Sequence, residues 1–402
     1  MLLTIKRAEY WQKLQPFIDK PVIKVITGLR RAGKSYFLRQ IMDELKLQFK
    51  IDEANIIYIN KELLEFDFIK DYKDLDQYIK DQCKKSKVGK KYLFVDEVQE
   101  IEEWERTLRS YLAKEDFDIY VTGSNATMLS SELATFLTGR YIEIQVYPLS
   151  YAEFLQFRKQ QNSRDEFNNY LRFGGMPALH QYALEQESIY PILEAVLNTI
   201  VLKDVVARHE LRNNISNFEA ILKFAFDNIA STFSAKSLTD YLKSQRINMG
   251  VATVQNYLSF LESAFLVNQV RRYDIKGKRH LEIYEKYYVA DLGLRHALLG
   301  YKESDISDYL ENIVYQELRR RGFEVSIGKL NGCEVDFIAT KSGQKIYIQV
   351  TYLLANAEIR EREFKPLLAI ADNYPKLVLS MDEYARSTYE GIESLNLQQW
   401  LL

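Results

Sequence analysis

The residues Gly28-Leu29-Arg30-Arg31-Ala32-Gly33-Lys34-Ser35 constrain this chain more than any other stretch. They fit the spacing G-x-x-x-x-G-K-[ST]. Average residue usage yields that pattern by chance in about one chain of this length in a hundred. The flanks lower the chance reading further. Val22-Ile23-Lys24-Val25-Ile26-Thr27 is a β-rich run, and Tyr36-Phe37-Leu38-Arg39-Gln40-Ile41-Met42 carries apolar residues at helical spacing. Strand, glycine loop and helix is the context in which the pattern has physical meaning. Glycines let the loop turn tightly, so backbone N–H groups point at phosphate oxygens. The following helix adds the positive end of its dipole. Lys34 then sets a point charge against β- and γ-phosphates, and Ser35 offers a hydroxyl to Mg²⁺. Gly28 to Ser35, with Tyr36 next in line, are the expected phosphate-binding residues.

The chain has 402 residues, room for about two to four domains. A hydrophobic content of 47% beside 27% charged residues describes an ordinary globular protein. The net charge of −2 argues against a chain basic overall, though basic patches fit inside a neutral total. Cys83 and Cys333 stand far apart, which suits free thiols in a reducing compartment. His180, His209, His280 and His296 show no ligand spacing, so a structural zinc is not expected. No apolar run approaches membrane length, and the start is charged too soon for a secretory leader. The expectation is a cytoplasmic protein with no membrane partner.

Residues 6–18 read as a short amphipathic helix carrying Tyr10, Trp11, Leu14 and Phe17. Strands are expected at Asn55–Asn60, Lys91–Asp96, Asp118–Thr122 and Tyr141–Tyr147, with a helix at 127–138. The run Lys91-Tyr92-Leu93-Phe94-Val95-Asp96-Glu97 is a second signature. It is a buried parallel strand whose carboxylates emerge at the C-terminal edge, where ligands bind. Asp96 is expected to hold Mg²⁺ and Glu97 to polarise an attacking water. Ser124 or Asn125, at the end of the next strand, would sense the γ-phosphate; each could equally be a capping residue.

Here a resemblance becomes specific. Gly28-Leu29-Arg30-Arg31, Val95-Asp96-Glu97-Val98-Gln99, Thr122-Gly123-Ser124 and Thr138-Gly139-Arg140-Tyr141 resemble the AAA+ ATPases that carry a C-terminal DUF4143-type domain. The likeness continues through Tyr147-Pro148-Leu149-Ser150, Phe173-Gly174-Gly175-Met176-Pro177, Tyr287-Tyr288-Val289-Ala290-Asp291 and Glu334-Val335-Asp336-Phe337. It implies ATP and Mg²⁺ as cofactors, ADP as product, and a homo-oligomer such as a hexameric ring. It also implies that Arg140 reaches a neighbouring subunit's nucleotide as an arginine finger. The alternative for Arg140 is a helix-terminal arginine that steadies the dipole.

Residues 149–215 read as a helical lid, with a helix from Ile192 to Val206 and no clear second sensor beyond Arg208 or Arg212. In 216–300, three helices precede two strands joined by Lys276-Gly277-Lys278-Arg279, the order of a winged helix. The third helix offers only Gln255, Asn256 and Ser259 as base readers. The wing offers Arg271, Arg272, Lys276, Lys278, Arg279 and His280 to DNA phosphates. In 301–402, a helix with Leu310, Ile313, Val314 and Leu318 on its apolar face and Glu311 and Glu317 elsewhere precedes three strands. This order resembles the PD-(D/E)xK nuclease fold, in which an Asp and a Glu hold a divalent metal and a lysine follows. Asp336, Gln349 and Thr351 stand at those positions, so the fold is expected without cleavage. Nuclease activity with Glu311 or Glu317 as rearranged ligands is the minority reading.

The expected fold class is therefore α/β. A P-loop AAA+ parallel sheet fills 1–148, followed by a helical lid (149–215), a winged helix (216–300) and a nuclease-like α+β tail (301–402). The expected function is a Mg²⁺-dependent ATPase that binds or remodels DNA, branched or single-stranded forms included. The alternative is a nucleotide-switched regulatory or defence protein whose last domains hold protein partners.

Overall fold

The computed structural model describes residues 5–126, 139–211, 214–383 and 386–402. The helix expected at 127–138, with Thr138, and the candidate sensor Arg212 lie outside the described residues. The chain divides into two compact units, residues 1–147 with 263–265 and residues 148–262 with 266–402.

In the first unit α1 (Ala8–Leu14) leads into β1 (Ile23–Thr27), α2 (Lys34–Gln48), β2 (Ile56–Asn60), α3 (Tyr72–Lys85), β3 (Lys91–Asp96), α4 (Trp104–Ala113), β4 (Phe117–Gly123) and β5 (Tyr141–Gln145). The five strands are parallel, in the order β2-β3-β4-β1-β5. Parallel strands carry helices on both faces, so their sequences read as unbroken apolar runs. Leu93, Phe94 and Val95 are fully buried for that reason. Lys24 breaks the run yet is also fully buried. Its ammonium pairs with Asp118, whose Oδ2 accepts from the Tyr120 hydroxyl at 2.7 Å. Burial lowers the Lys24 pKa and Asp118 pulls it back up. A lone charge there would cost several kcal/mol, roughly 3–5 on loss of one partner.

The second unit begins with α5 (Tyr151–Arg158), capped by a reciprocal Ser150–Glu153 box, α6 (Arg164–Phe173) and α7 (Gln186–Thr199). The sequence places the start of the last helix at Ile192. It starts six residues earlier, because Pro191 forfeits one backbone bond on an exposed face and the helix tolerates it. Ile200–Val206 then continues as a π-helix. Next come α8 (Ile215–Asp227), β6 (Thr232–Phe233), α9 (Ala235–Ser244), α10 (Val251–Ser263), β7 (Val267–Asp274) and β8 (Arg279–Val289). The chain ends with α11 (Leu292–Leu299), α12 (Ile306–Arg320), β9 (Glu324–Leu330), β10 (Cys333–Lys341), β11 (Gln344–Val350), α13 (Ala357–Leu368), β12 (Lys376–Ser380), β13 (Arg386–Tyr389), β14 (Ile392–Asn396) and α14 (Leu397–Trp400).

Among the described residues, the nine strands of this unit form one mixed sheet, in the order β13-β14-β12-β11-β10-β9-β7-β8-β6. The hairpin β7–β8 is not free-standing. Strand β7 pairs in parallel with β9, Arg272 opposite Ile327 and Asp274 opposite Lys329. The sheet therefore runs across the division drawn from sequence at residue 300. Helix α12 is buried on nearly every side, and Glu311 and Glu317 are buried with it rather than on a solvent face. Each has partners: Glu317 takes Arg320 and Arg321, and Glu311 takes Lys286 and the Tyr288 hydroxyl.

The motifs around Gly174 and Asp291 are one joint. Gly174 has φ +74°, and a Cβ there would lie 2.2 Å from Asp291 Oδ1. The Asp291 carboxylate accepts from Gly175 N at 2.7 Å and from Leu294 N at 3.2 Å, capping α11. Burial pushes its pKa up to about 6.

Candidate functional site

The loop between β1 and α2 follows from its residues. Gly28 sits at φ +136°, and any Cβ would meet the Val146 carbonyl oxygen at 2.1 Å. Arg31 and Gly33 also take positive φ, which coils the loop around its own centre. Leu29 and Ala32 are buried beneath it, Arg30 and Ser35 are half-buried, and Arg31 and Tyr36 are exposed. Lys34 is only 4% exposed. Its Nζ donates to the carbonyls of Gly28 at 3.1 Å and Leu29 at 3.3 Å.

Strand β3 delivers the carboxylates to the same edge. Asp96 is fully buried and accepts from Thr122 Oγ1 and, at 3.4 Å, from the Tyr58 hydroxyl. Burial pushes its carboxyl above the usual range and Glu97 adds to this, while hydrogen bonds from Thr122 and Ser35 and the charge of Lys34 oppose it. Glu97 takes left-handed backbone, φ 56°, and its N–H donates to Thr122 Oγ1 at 2.8 Å. That twist turns its side chain to Lys34, Nζ to Oε1 3.8 Å, while Oε2 accepts from Gln99. The structure thus brings Lys34, Ser35, Asp96 and Glu97 to one end of the sheet, where the C-terminal ends of the five parallel strands and the N-terminus of α2 lie.

Three residues at the site were given no role from the sequence, although Thr122 and Gln99 stand in motifs quoted there. Arg7, buried, donates to the carbonyls of Ala32 at 3.1 Å and Tyr147 at 2.9 Å and holds the N-terminal segment to the back of the loop. Thr122 bridges Asp96 and Glu97; a polar residue ending an apolar strand was its signal. Gln99 holds the Glu97 carboxylate, two residues on from it.

Residues 20–155 match the AAA domain, and residues 164–305 match a domain of unknown function, DUF8612. An uncharacterized protein of Haemophilus influenzae is 37% identical over 404 residues, covering 99% of this chain and 98% of that protein. The chain belongs to this family of AAA-domain proteins. A relative from Methanocaldococcus jannaschii, also uncharacterized, is 33% identical over 359 residues, 85% of this chain and 77% of its own. Among solved structures, the Walker-type ATPase PABY2304 of Pyrococcus abyssi aligns with a TM-score of 0.50 at 17% identity, over 73% of this chain and 95% of that one. At that identity the likeness carries the fold: a P-loop ATPase sheet. The family match in the second unit is to DUF8612, whereas the resemblance read from sequence was to a DUF4143-type domain.

In the AAA domain, Ser124 and Asn125 are buried where β4 ends. Arg140 is exposed at the opposite end of the sheet, its carbonyl accepting from Ile23 N at 3.0 Å. Beyond the AAA domain, Arg271, Lys276, Lys278, Arg279 and His280 are exposed on the β7–β8 hairpin, and Arg272 is half-buried between strands. Gln255, Asn256 and Ser259 are exposed on α10, and Arg208 is half-buried. Asp336 and Gln349 meet across β10 and β11, Asp336 N donating to Gln349 Oε1 at 3.3 Å; Thr351 is buried just past β11. Among the described residues no helix is long and apolar enough to cross a membrane.

Proposed function

We propose that the protein is a Mg²⁺-dependent ATPase that hydrolyses ATP to ADP and phosphate, assembles with copies of itself, and engages DNA through its second unit. The observation that carries the reading is the convergence of Lys34, Ser35, Asp96 and Glu97 at the C-terminal edge of β1 and β3. Ser35 and Asp96 would hold Mg²⁺, which supplies neutralising charge on the β- and γ-phosphates. The loop N–H groups and Lys34 bind and orient the triphosphate; the carbonyls that Lys34 now contacts are ones a phosphate oxygen can replace. Glu97 aligns a water and takes its proton, with Gln99 and Thr122 fixing its carboxylate and backbone. Ser124 and Asn125, buried one strand away, are placed to feel the γ-phosphate.

Arg140 cannot serve its own loop. Strands β1 and β5 run parallel from Ile23 opposite Tyr141 to Thr27 opposite Gln145. Their length puts Arg140 roughly 16 Å from the loop end, beyond a side chain's reach. It is therefore proposed as the finger for a neighbour. The hairpin's Lys276, Lys278, Arg279 and Arg271 are proposed as phosphate contacts.

The test is the ATPase rate with single-stranded, duplex and branched DNA at two salt concentrations. Stimulation that falls steeply with salt supports DNA as the partner. A rate indifferent to every DNA form removes it.

One observation favours a second reading, a nucleotide switch for protein partners. Arg30 Nη1 lies 3.4 Å from Glu62 Oε1, linking the phosphate loop to the segment after β2. That segment exposes Leu63, Leu64 and Phe68, Leu64 by 92%, an apolar surface beside the nucleotide edge.

A further inference from the structure

The resemblance of residues 301–402 to a nuclease fold implies a divalent metal held by Asp336 and the position of Gln349. The donors do not fit one. Gln349 spends Oε1 on Asp336 N, and its Nε2 donates to Glu363 Oε2 at 3.2 Å. Asp336 Oδ2 accepts from Val350 N at 2.8 Å. Among the described residues no group of three His, Cys, Asp or Glu side chains is arranged to hold an ion. What stands there instead is an ammonium. Lys286, 4% exposed, reaches from β8 with Nζ 2.9 Å from Glu311 Oε1 on α12 and 2.6 Å from Glu334 Oε1 on β10. Strands β7 and β9 separate β8 from β10 in the sheet order, so the side chain joins distant parts of the sheet.

We propose that Lys286 is a resident cation closing this carboxylate cluster, so that the cluster takes no divalent metal and serves as a joint that holds the basic hairpin strand to α12 and β10. Three carboxylates, Glu311, Glu334 and Asp336, act on one ammonium. Burial pulls the Lys286 pKa down, but Glu311, Asp336 and Glu334 together raise it above its ordinary value, so it stays charged. A divalent ion needs several of the same oxygens at roughly 2.0–2.6 Å, where it would stand against the ammonium. The resemblance would place a lysine at 351, where this chain has a threonine, and the positive charge comes from another strand. It is spent on ion pairs and not left facing the neighbouring open cleft, lined by Glu334, Asp336, Gln349 and Glu363.

The test is Mn²⁺ binding to the full-length protein without nucleotide, followed by electron paramagnetic resonance. Wild type and Glu334→Gln should bind the same number of ions, any ion at the phosphate loop being common to both. Lys286→Ala should gain about one further Mn²⁺ per chain, and Lys286→Ala with Glu334→Gln should lose it again. The proposal is overturned if wild type binds an ion that Glu334→Gln removes, or if folded Lys286→Ala gains none. Should Lys286→Ala fail to fold, the comparison of wild type with Glu334→Gln decides alone, since Glu334 is partly exposed and Lys286 keeps Glu311 as a partner when Glu334 is replaced.

Discussion

Glu97 shows how one residue's backbone serves the site. Left-handed φ costs a non-glycine residue on the order of 1 kcal/mol, and φ 56° is kept because Thr122 takes the Glu97 N–H and Gln99 takes its carboxylate. Glu97→Gln should therefore keep the fold and ATP affinity while turnover falls by about 10²- to 10³-fold. Single-turnover hydrolysis beside fluorescent-nucleotide binding checks this, and near-normal turnover would take Glu97 out of its role. Lys34→Ala acts earlier in the cycle. On the proposed reading its buried ammonium meets the phosphates, so ATP affinity should drop by at least about 100-fold, roughly 2.7 kcal/mol. Unchanged affinity in a titration would refute the central assignment. Both residues were legible in the sequence, because a phosphate loop and a strand ending in two carboxylates are local patterns. Arg7 and Lys286 were not. Each is a single charged side chain whose meaning lies in partners more than twenty residues away, and no local period marks it.

At the scale of elements, the joint between the Gly174 turn and the start of α11 makes stability depend on pH. The buried carboxyl of Asp291 has a folded pKa of about 6 against 3.8 when unfolded. Its proton is bound more tightly in the folded state. Its contribution is thus complete below pH 3.8 and is lost as pH rises through about 6. The difference, 2.2 units, amounts to about 3 kcal/mol. Asn at 291 keeps one acceptor oxygen, turns a donor NH2 toward the second of the Gly175 and Leu294 N–H groups at a cost that does not vary with pH, and cannot ionise. Between pH 4 and 7, wild type should lose about 2.4 kcal/mol relative to Asp291→Asn, read as the difference in urea unfolding free energy at each pH. Taking the difference matters, since buried His296, its pKa lowered to about 3 by burial and Arg295, adds the opposite trend to both proteins. It contributes stability above pH 6.5 that is lost as pH falls. A flat difference would show that Asp291 is already well solvated. The same joint explains what the sequence hid. Strands β1, β3 and β4 were visible as apolar runs because their burial is two-sided, and β5 by its alternation. The pairing of β7 with β9 was not, since parallel partners fifty residues apart leave no shared local signal. Pro191 misled for a related reason: its cost depends on which face of α7 meets water.

For the whole molecule, the register of β1 and β5 is the decisive fact. Arg140 and the phosphate loop occupy opposite ends of the same sheet, so a site that uses both must take them from two copies. In such an assembly, Lys34→Ala subunits keep a working finger and Arg140→Ala subunits keep a working loop. Each variant alone should hydrolyse ATP slowly, Arg140→Ala by a factor on the order of 10³. Mixed together, they form interfaces in which an intact loop faces an intact arginine, and part of the wild-type rate should return. Rescue needs the copies to exchange, so the mixture is made with one variant carrying a donor dye and the other an acceptor. Energy transfer that grows on mixing, with hydrolysis rising in step, is the expected result. Exchange without any gain in rate would show that Arg140 does not complete a neighbour's site and would leave it as the residue that precedes β5. The outcome also bears on the oligomer, because rescue at stoichiometric mixing requires that the active form contain at least two chains in contact through this end of the sheet.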